Sequence, residues 1–379
     1  MSSKHHLDEK VYAVGDHKLS MQDLLDYFEQ QGKMRVSDLH LKINCPPVYR
    51  VDGLLQKMKG PPLDAATAEL LAESLLTDTE VEWLKQNRSV DGSVSTAKMQ
   101  YRLNCYHEND GLAVAIRALY ADVPPVESIG FPNGAWRDIV SKQQGLILVT
   151  GITGAGKSTT IASFINHIAQ TRPCRIITLE DPIEYRLASK AAVISQRELG
   201  RDVPSFERGL RDCLREDPDV IFVGEMRDKE STTWTLTAAE TGHLVFSTLH
   251  TRDARGTVTR VLDLFPPSQQ DEVAAQLSLG LSHIISQKLV PRADGQGRVV
   301  VMEILNNVYG LANLIRQAKT EQIYTLLQTR TKDVPSERMT TMERSLAILV
   351  RRGVIAPLEA EKWANNPSAF LEEMQHPST

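Results

Sequence analysis

Residues 151 to 158 read Gly-Ile-Thr-Gly-Ala-Gly-Lys-Ser, which satisfies the spacing G-x-x-x-x-G-K-[ST] without a gap. That spacing suits one task, the holding of phosphate. The glycines let backbone N–H groups approach the anion, and the N-terminus of a following helix adds its dipole. The lysine reaches the outer phosphates, and the serine hydroxyl faces a divalent cation. Gly151, Thr153, Gly154, Ala155, Gly156, Lys157, Ser158 and Thr159 are therefore the candidate nucleotide-binding residues. The flanks agree. Gly145-Leu-Ile-Leu-Val-Thr150 is an apolar run that predicts a buried strand, and Ile161, Phe164, Ile165 and Ile168 recur at helical spacing until Thr171-Arg172-Pro173 stops them.

Further strands are predicted over Arg175–Leu179, Val220–Gly224, His243–Leu249 and Val299–Ile304, alternating with helices, which is the pattern of a mostly parallel α/β sheet. Ligands of such sheets bind at the carboxyl ends of the strands. The residues there are Glu180, in Glu180-Asp181-Pro182-Ile183-Glu184, then Glu225, then His250. A carboxylate at that rim can bind magnesium through water or orient an attacking water. His243 and His250 are seven apart, an odd separation that puts them on opposite faces of a regular strand. Both serve one site only if one lies at a strand end, and His250 holds the carboxyl end.

Upstream, a helix is predicted from Ser20 to about Gln31, then strands at Val36–Ile43 and Val48–Val51 with a hairpin turn at Asp52-Gly53. Helices over Asp64–Leu76 and Asp78–Gln86 and paired strands over Lys98–His107 and Gly111–Tyr120 complete a small α+β unit. The expected organisation is a polar leader (1–18), an N-terminal domain (19–118), a linker with three prolines (119–133), the nucleotide-binding domain with C-terminal helices (134–365) and a disordered tail (366–379).

Composition narrows the class. A net charge of −5 leaves no global basic field, so stable nucleic-acid binding is not expected. The four cysteines are scattered without a C-x-x-C pair, which excludes a zinc site or disulfide framework and fits a reducing cytoplasm. The first residues lack the apolar core of a signal peptide, and no run is long enough to span a bilayer. Membrane association is expected only through partners.

Four segments in order, 151–158, 176–184, 214–228 and 238–251, resemble the Walker A, Asp box, Walker B and His box of the secretion-superfamily hexameric ATPases. Ser37-Asp-Leu-His-Leu, Pro46-Pro47 through Arg50-Val-Asp-Gly53, and Tyr101-Arg-Leu-Asn104 are similar to that family's first domain. Within it the chain looks most like the type IV pilus retraction ATPases (PilT/PilU type), which are short and lack the tetracysteine insertion of extension and type II secretion motors. It departs from their pattern at Ile152, where proline is common, and at Gly310-Leu-Ala-Asn-Leu-Ile-Arg316, which lacks the first arginine of the family's C-terminal signature. A leader before the first helix is also atypical.

The resemblance implies a PAS-like first domain, a RecA-like P-loop ATPase domain, and a homo-hexamer that hydrolyses ATP to ADP and phosphate with Mg2+. It implies that Ser158 and Glu225 hold the metal, that Glu180 activates water, and that His250 positions the γ-phosphate, with His243 as a further catalytic candidate. It also implies arginine fingers, for which Arg102 and Arg117 are candidates; surface strand arginines are the alternative reading. The implied partners are an inner-membrane pilus platform protein and a paralogous motor ATPase, and the implied location is the cytoplasm, peripheral to the inner membrane. Residues 119–133 would be the hinge between the domains. Three alternatives remain: an accessory subunit of the PilU kind with weak hydrolysis, a type II secretion or DNA-uptake ATPase, and a nucleic-acid translocase.

Overall fold

The computed structural model describes residues 6–30, 35–96, 99–119 and 123–375. The chain divides into two compact units, Met1–Asp122 and Val123–Thr379. The ends expected at Gln31 and Tyr120 and the start expected at Lys98 fall outside the described residues.

The first unit opens with a hairpin of β1 (Lys10–Val14) and β2 (His17–Ser20). The expected polar leader is therefore folded from Lys10 on. Each strand brings few apolar residues, so the alternation is faint in sequence. Tyr12 nonetheless buries its ring and donates its hydroxyl proton to the Pro61 carbonyl at 2.7 Å. The helix Met21–Gln30 follows, with Ser20 and Asp23 exchanging hydrogen bonds across its first turn. Its buried face, Leu24, Leu25 and Phe28, packs under an antiparallel sheet of six strands ordered β5-β4-β3-β8-β7-β6. These are β3 (Val36–Lys42), β4 (Val48–Val51), β5 (Leu54–Lys57), β6 (Ser89–Ser95), β7 (Gln100–Glu108) and β8 (Gly111–Leu119). The β4–β5 turn is the Asp52-Gly53 pair, both at positive φ, as a two-residue hairpin of primed type demands.

The second unit holds a seven-stranded sheet ordered β11-β10-β12-β13-β9-β14-β15. Its strands are β9 (Gly145–Thr150), β10 (Arg175–Glu180), β11 (Val193–Glu198), β12 (Val220–Val223), β13 (Leu244–Leu249), β14 (Leu281–Pro291) and β15 (Arg298–Asn306). All neighbours run parallel except β15, which is antiparallel to β14. Every residue of β9, β12 and β13 is buried, because apolar clusters cover both faces of the sheet. Chain order leaves β9 between β13 and β14 while β10 lies beyond β12, so the chain reverses its direction of strand addition beside the loop after β9. The fold is thus mixed α/β, with an antiparallel first sheet and a large, mostly parallel second one.

Two expected boundaries need correction. The stretch 119–133 is not a linker throughout. Leu119 ends β8, residues 120–122 lie outside the described part, and Val126 is buried with Ile129 and Phe131 packed on the second unit's core. Phe131 meets Phe164 at 5.5 Å between ring centroids. Its prolines start a short turn rather than a free tether. The tail expected to be disordered from 366 is a helix, Pro367–Gln375, with residues 376–379 outside the described part. Phe370 is 2% exposed and packs with Met342, Leu346 and Val301. Phe370→Ala should destabilise the second unit by about 3–5 kcal/mol, the range for emptying a buried aromatic site. Thermal unfolding checks this; an unchanged Tm would mean that the helix does not dock.

Candidate active site

The loop after β9 is shaped by contacts that exclude side chains. Gly151 has φ +146°, and a Cβ there would lie 2.4 Å from the Gln287 carbonyl oxygen. Gly156, at φ +87°, occupies the N-cap of helix Lys157–Thr171 and offers no capping side chain. The first-turn N–H groups are therefore not taken up by a cap, which is what an anion at a helix N-terminus requires. Gln287 clamps the loop from β14. Its Nε2 donates to the Ala155 carbonyl at 2.7 Å, and its Oε1 accepts from Thr160 Oγ1 at 3.0 Å.

Lys157 turns back into the loop, donating to the carbonyls of Gly151 at 2.8 Å and Ile152 at 3.4 Å. Burial lowers its pKa, opposed by the charges of Glu225 and Glu184. Thr153 and Gly154 are exposed at the loop tip. The Thr159 hydroxyl shares a hydrogen bond of 2.8 Å with Tyr185 OH. The Ser158 hydroxyl makes no side-chain hydrogen bond among the described residues.

Around this loop the strand ends bring the acids and one histidine. Glu180, the last residue of β10, is 7% exposed. Its Oε1 accepts from Thr178 Oγ1 at 2.6 Å and from Gln196 Nε2 at 3.1 Å. Burial outweighs these bonds and pushes its carboxyl up to about 7. A carboxyl that titrates near neutrality can exchange a proton with water at physiological pH. Glu225 follows β12 across Gly224, whose N–H donates to the Leu179 carbonyl, so the neighbouring ends of β10 and β12 carry Glu180 and Glu225. Glu225 Oε2 accepts from Arg227 Nε at 2.8 Å, and Arg227 Nη1 reaches Asp181 Oδ2 at 2.9 Å. His250 Nε2 lies 3.4 Å from Glu225 Oε1. Burial, then the charge of Lys157, holds His250 below the ordinary histidine range, so the ring is neutral at pH 7.

Lys157, Glu180, Glu225 and His250 thus share one rim. His243 does not belong to it. The strand proper is Leu244–Leu249, so the two histidines flank it at opposite ends, roughly 20 Å apart at strand rise. His243 Nδ1 lies 2.9 Å from the Ala238 carbonyl, where it closes the C-terminus of helix Lys229–Glu240. Arg102 and Arg117 lie in the first unit, directly opposite each other on β7 and β8. Arg117 Nε donates to Asp38 Oδ1 at 2.8 Å, and the same carboxylate faces Arg50 at 3.7 Å. Arg102 makes no side-chain bond among the described residues. Sequence reasoning missed Gln287, Arg227 and Tyr185. The first comes from an unforeseen strand, Arg227 lay within the third resembling segment without being singled out, and Tyr185 carries no motif of its own.

A family model described as "Type II/IV secretion system protein" matches residues 29–350. The chain belongs to this family. It is 42% identical over 327 residues to a twitching motility protein of Neisseria gonorrhoeae, covering 86% of each chain. It is 38% identical over 353 residues to the type IV pilus retraction ATPase PilT of Pseudomonas aeruginosa, covering 93% of this chain and all of that one (100%). Among solved structures, a crystal structure of the pilus retraction motor PilT with bound ADP superposes with TM-score 0.79 at 40% identity, covering 92% of this chain and 99% of that one. Membership accounts for the order of the four segments and for the pairing of an antiparallel-sheet unit with a parallel-sheet one. No described helix is long and apolar enough to cross a membrane.

Proposed function

We propose that this chain is an ATP-hydrolysing motor that powers retraction of a type IV pilus, working as a homo-hexameric ring. The observation that carries the reading is the shared rim of Lys157, Glu180, Glu225 and His250 in a chain aligned nearly end to end with pilus retraction ATPases.

Lys157 would exchange the loop carbonyls for the β- and γ-phosphates. Glu180 would orient the attacking water and accept its proton. His250, neutral and hydrogen-bonded to Glu225, would position the γ-phosphate. Arg117, pre-set by Asp38, and Arg102 would offset charge on the transferred phosphoryl group. Mg2+ suits the donors here: it keeps most of its waters, so the Ser158 hydroxyl would bind it directly and the Glu225 carboxylate, paired with Arg227 and His250, would hold it through water. Bound there, the ion would neutralise phosphate charge. The site is proposed to work in a cytoplasmic ring held at the inner membrane by a pilus platform protein, with a paralogous motor as a further partner.

Steady-state hydrolysis by the purified chain, its size with a non-hydrolysable nucleotide, and deletion of its gene test this together. The expected results are Mg-dependent turnover, a hexamer, and loss of twitching with excess pili. A strict monomer under all conditions overturns the ring. Normal twitching overturns retraction, and a pure, folded chain without turnover favours the accessory reading.

A further inference from the structure

Glu303 lies mid-way along β15 and is 1% exposed. A carboxyl in such a place needs partners, because an unpaired buried polar group is costly. Its Oε1 accepts the backbone N–H of Ala254 at 2.7 Å, and its Oε2 is buried with no hydrogen-bond partner. Ala254 is the first residue of helix Ala254–Asp263, four positions after His250. The helix has its own N-cap in Asp253, which takes the Gly256 N–H at 2.6 Å, so Glu303 adds a second, external anchor. The segment bearing His250 is thus held by β13 at one end and by Glu303 at the other. The backbone beside Glu303 is gripped in turn by the C-terminal region. Met302 N–H donates to Ser345 Oγ at 3.3 Å, and Ile304 and Thr340 exchange two backbone hydrogen bonds.

We propose that Glu303 is a positioning residue for ATP hydrolysis: it tethers the helix behind His250 and so couples the C-terminal helices to the His250–Glu225 pair. This rests on the reading of His250 as a working group of the site.

The charged groups facing Glu303 are Asp253 at the helix N-cap, Glu343 on helix Met342–Arg351 and Lys288 on β14, with Arg252 beside Lys288. Burial above all, then the two acids, push its carboxyl up to about 8, against the Ala254 bond and Lys288. Glu303 is therefore neutral at pH 7, and glutamine is its close mimic. Above pH 8 it ionises in the core: the Ala254 bond itself strengthens, but the new buried charge is repelled by Asp253 at the same helix N-cap and by Glu343, which disturbs the seating of the helix.

The test uses the full chain as Glu303→Leu, Glu303→Gln, His250→Ala and the Glu303→Leu/His250→Ala double variant, read by steady-state hydrolysis and by binding of a fluorescent ADP analogue. Glu303→Leu should lower kcat by about tenfold to a hundredfold, the scale of a small misplacement, with nucleotide Kd within about twofold. Glu303→Gln keeps an acceptor for Ala254 and should stay within about threefold of the parent. The double variant should be no slower than His250→Ala, because the two act as one unit. A parental rate in Glu303→Leu, or a double variant that loses the product of both effects, overturns the tether. His250→Ala turning over normally overturns the reading of His250 and the coupling with it; a slow His250→Ala beside a normal Glu303→Leu overturns the tether alone. If Glu303→Leu does not fold, the pH profile decides. The parent should lose rate above about pH 8 and Glu303→Gln should not, and parallel profiles overturn the proposal.

Discussion

Glu180→Gln should lower the kcat of ATP hydrolysis by about 10²–10⁴-fold, the usual worth of a positioned general base, and leave nucleotide affinity within a few-fold of the parent. The expectation follows from where the carboxyl lies. It is buried at the end of β10, held by Thr178 and Gln196, and pushed up to about 7 chiefly by burial. Glutamine keeps the acceptor oxygen and the volume but cannot take a proton. The parent's kcat/KM should therefore rise with pH through about 7, as the free carboxyl ionises, and the variant should show no such limb. Stability should respond in the opposite sense. A folded-state pKa above the unfolded one makes a contribution that is full below the ordinary carboxylate range and is lost as pH rises through the folded value. From about pH 4.5 to above 7, the parent should thus lose stability relative to Glu180→Gln, by roughly 3 kcal/mol at the limit. Denaturant melts at pH 5 and pH 8 check this. Normal turnover by Glu180→Gln would sink the assignment and leave Glu225 or another acid as the base.

What could be foreseen divides along a physical line. The loop was legible because its contacts are local in sequence: Gly151 to Ser158 are consecutive, and the apolar runs on either side specify strand and helix by periodicity alone. Glu180, Glu225 and His250 were legible one step further, because each follows a buried strand and parallel strands present their carboxyl ends together. The same rule sets His243 aside: it precedes β13 at the amino end, away from the rim, and its ring turns to a helix end. Gln287 and Glu303 were beyond reach. They come from β14 and β15, more than 40 residues from the backbone they anchor, and nothing local distinguishes a clamping glutamine from a surface one. The first hairpin was hidden for a related reason. Tyr12 is stabilised by its contact with the Pro61 carbonyl, a partner 49 residues away that strand alternation cannot reveal.

The loop lysine should give the other large effect. Lys157→Ala should abolish measurable nucleotide binding and hydrolysis while the fold persists, because the lysine has two separable tasks. In the structure it bridges the loop through the carbonyls of Gly151 and Ile152, and its ammonium lies within the loop where phosphate charge would collect. The loop itself has other supports. Gln287 holds Ala155 and Thr160, and no side chain fits at Gly151, so the backbone should keep its path without the ammonium. Burial already lowers the pKa of Lys157, so this charge is held at a cost that an incoming phosphate would relieve. That argues for a loss far larger than one surface charge provides. Titration of a fluorescent nucleotide against Lys157→Ala, with circular dichroism and melting on the same sample, separates the outcomes. Binding within tenfold of the parent by a folded variant would mean that the helix N-terminus alone carries the phosphates, and Lys157 would then be a loop brace rather than a ligand.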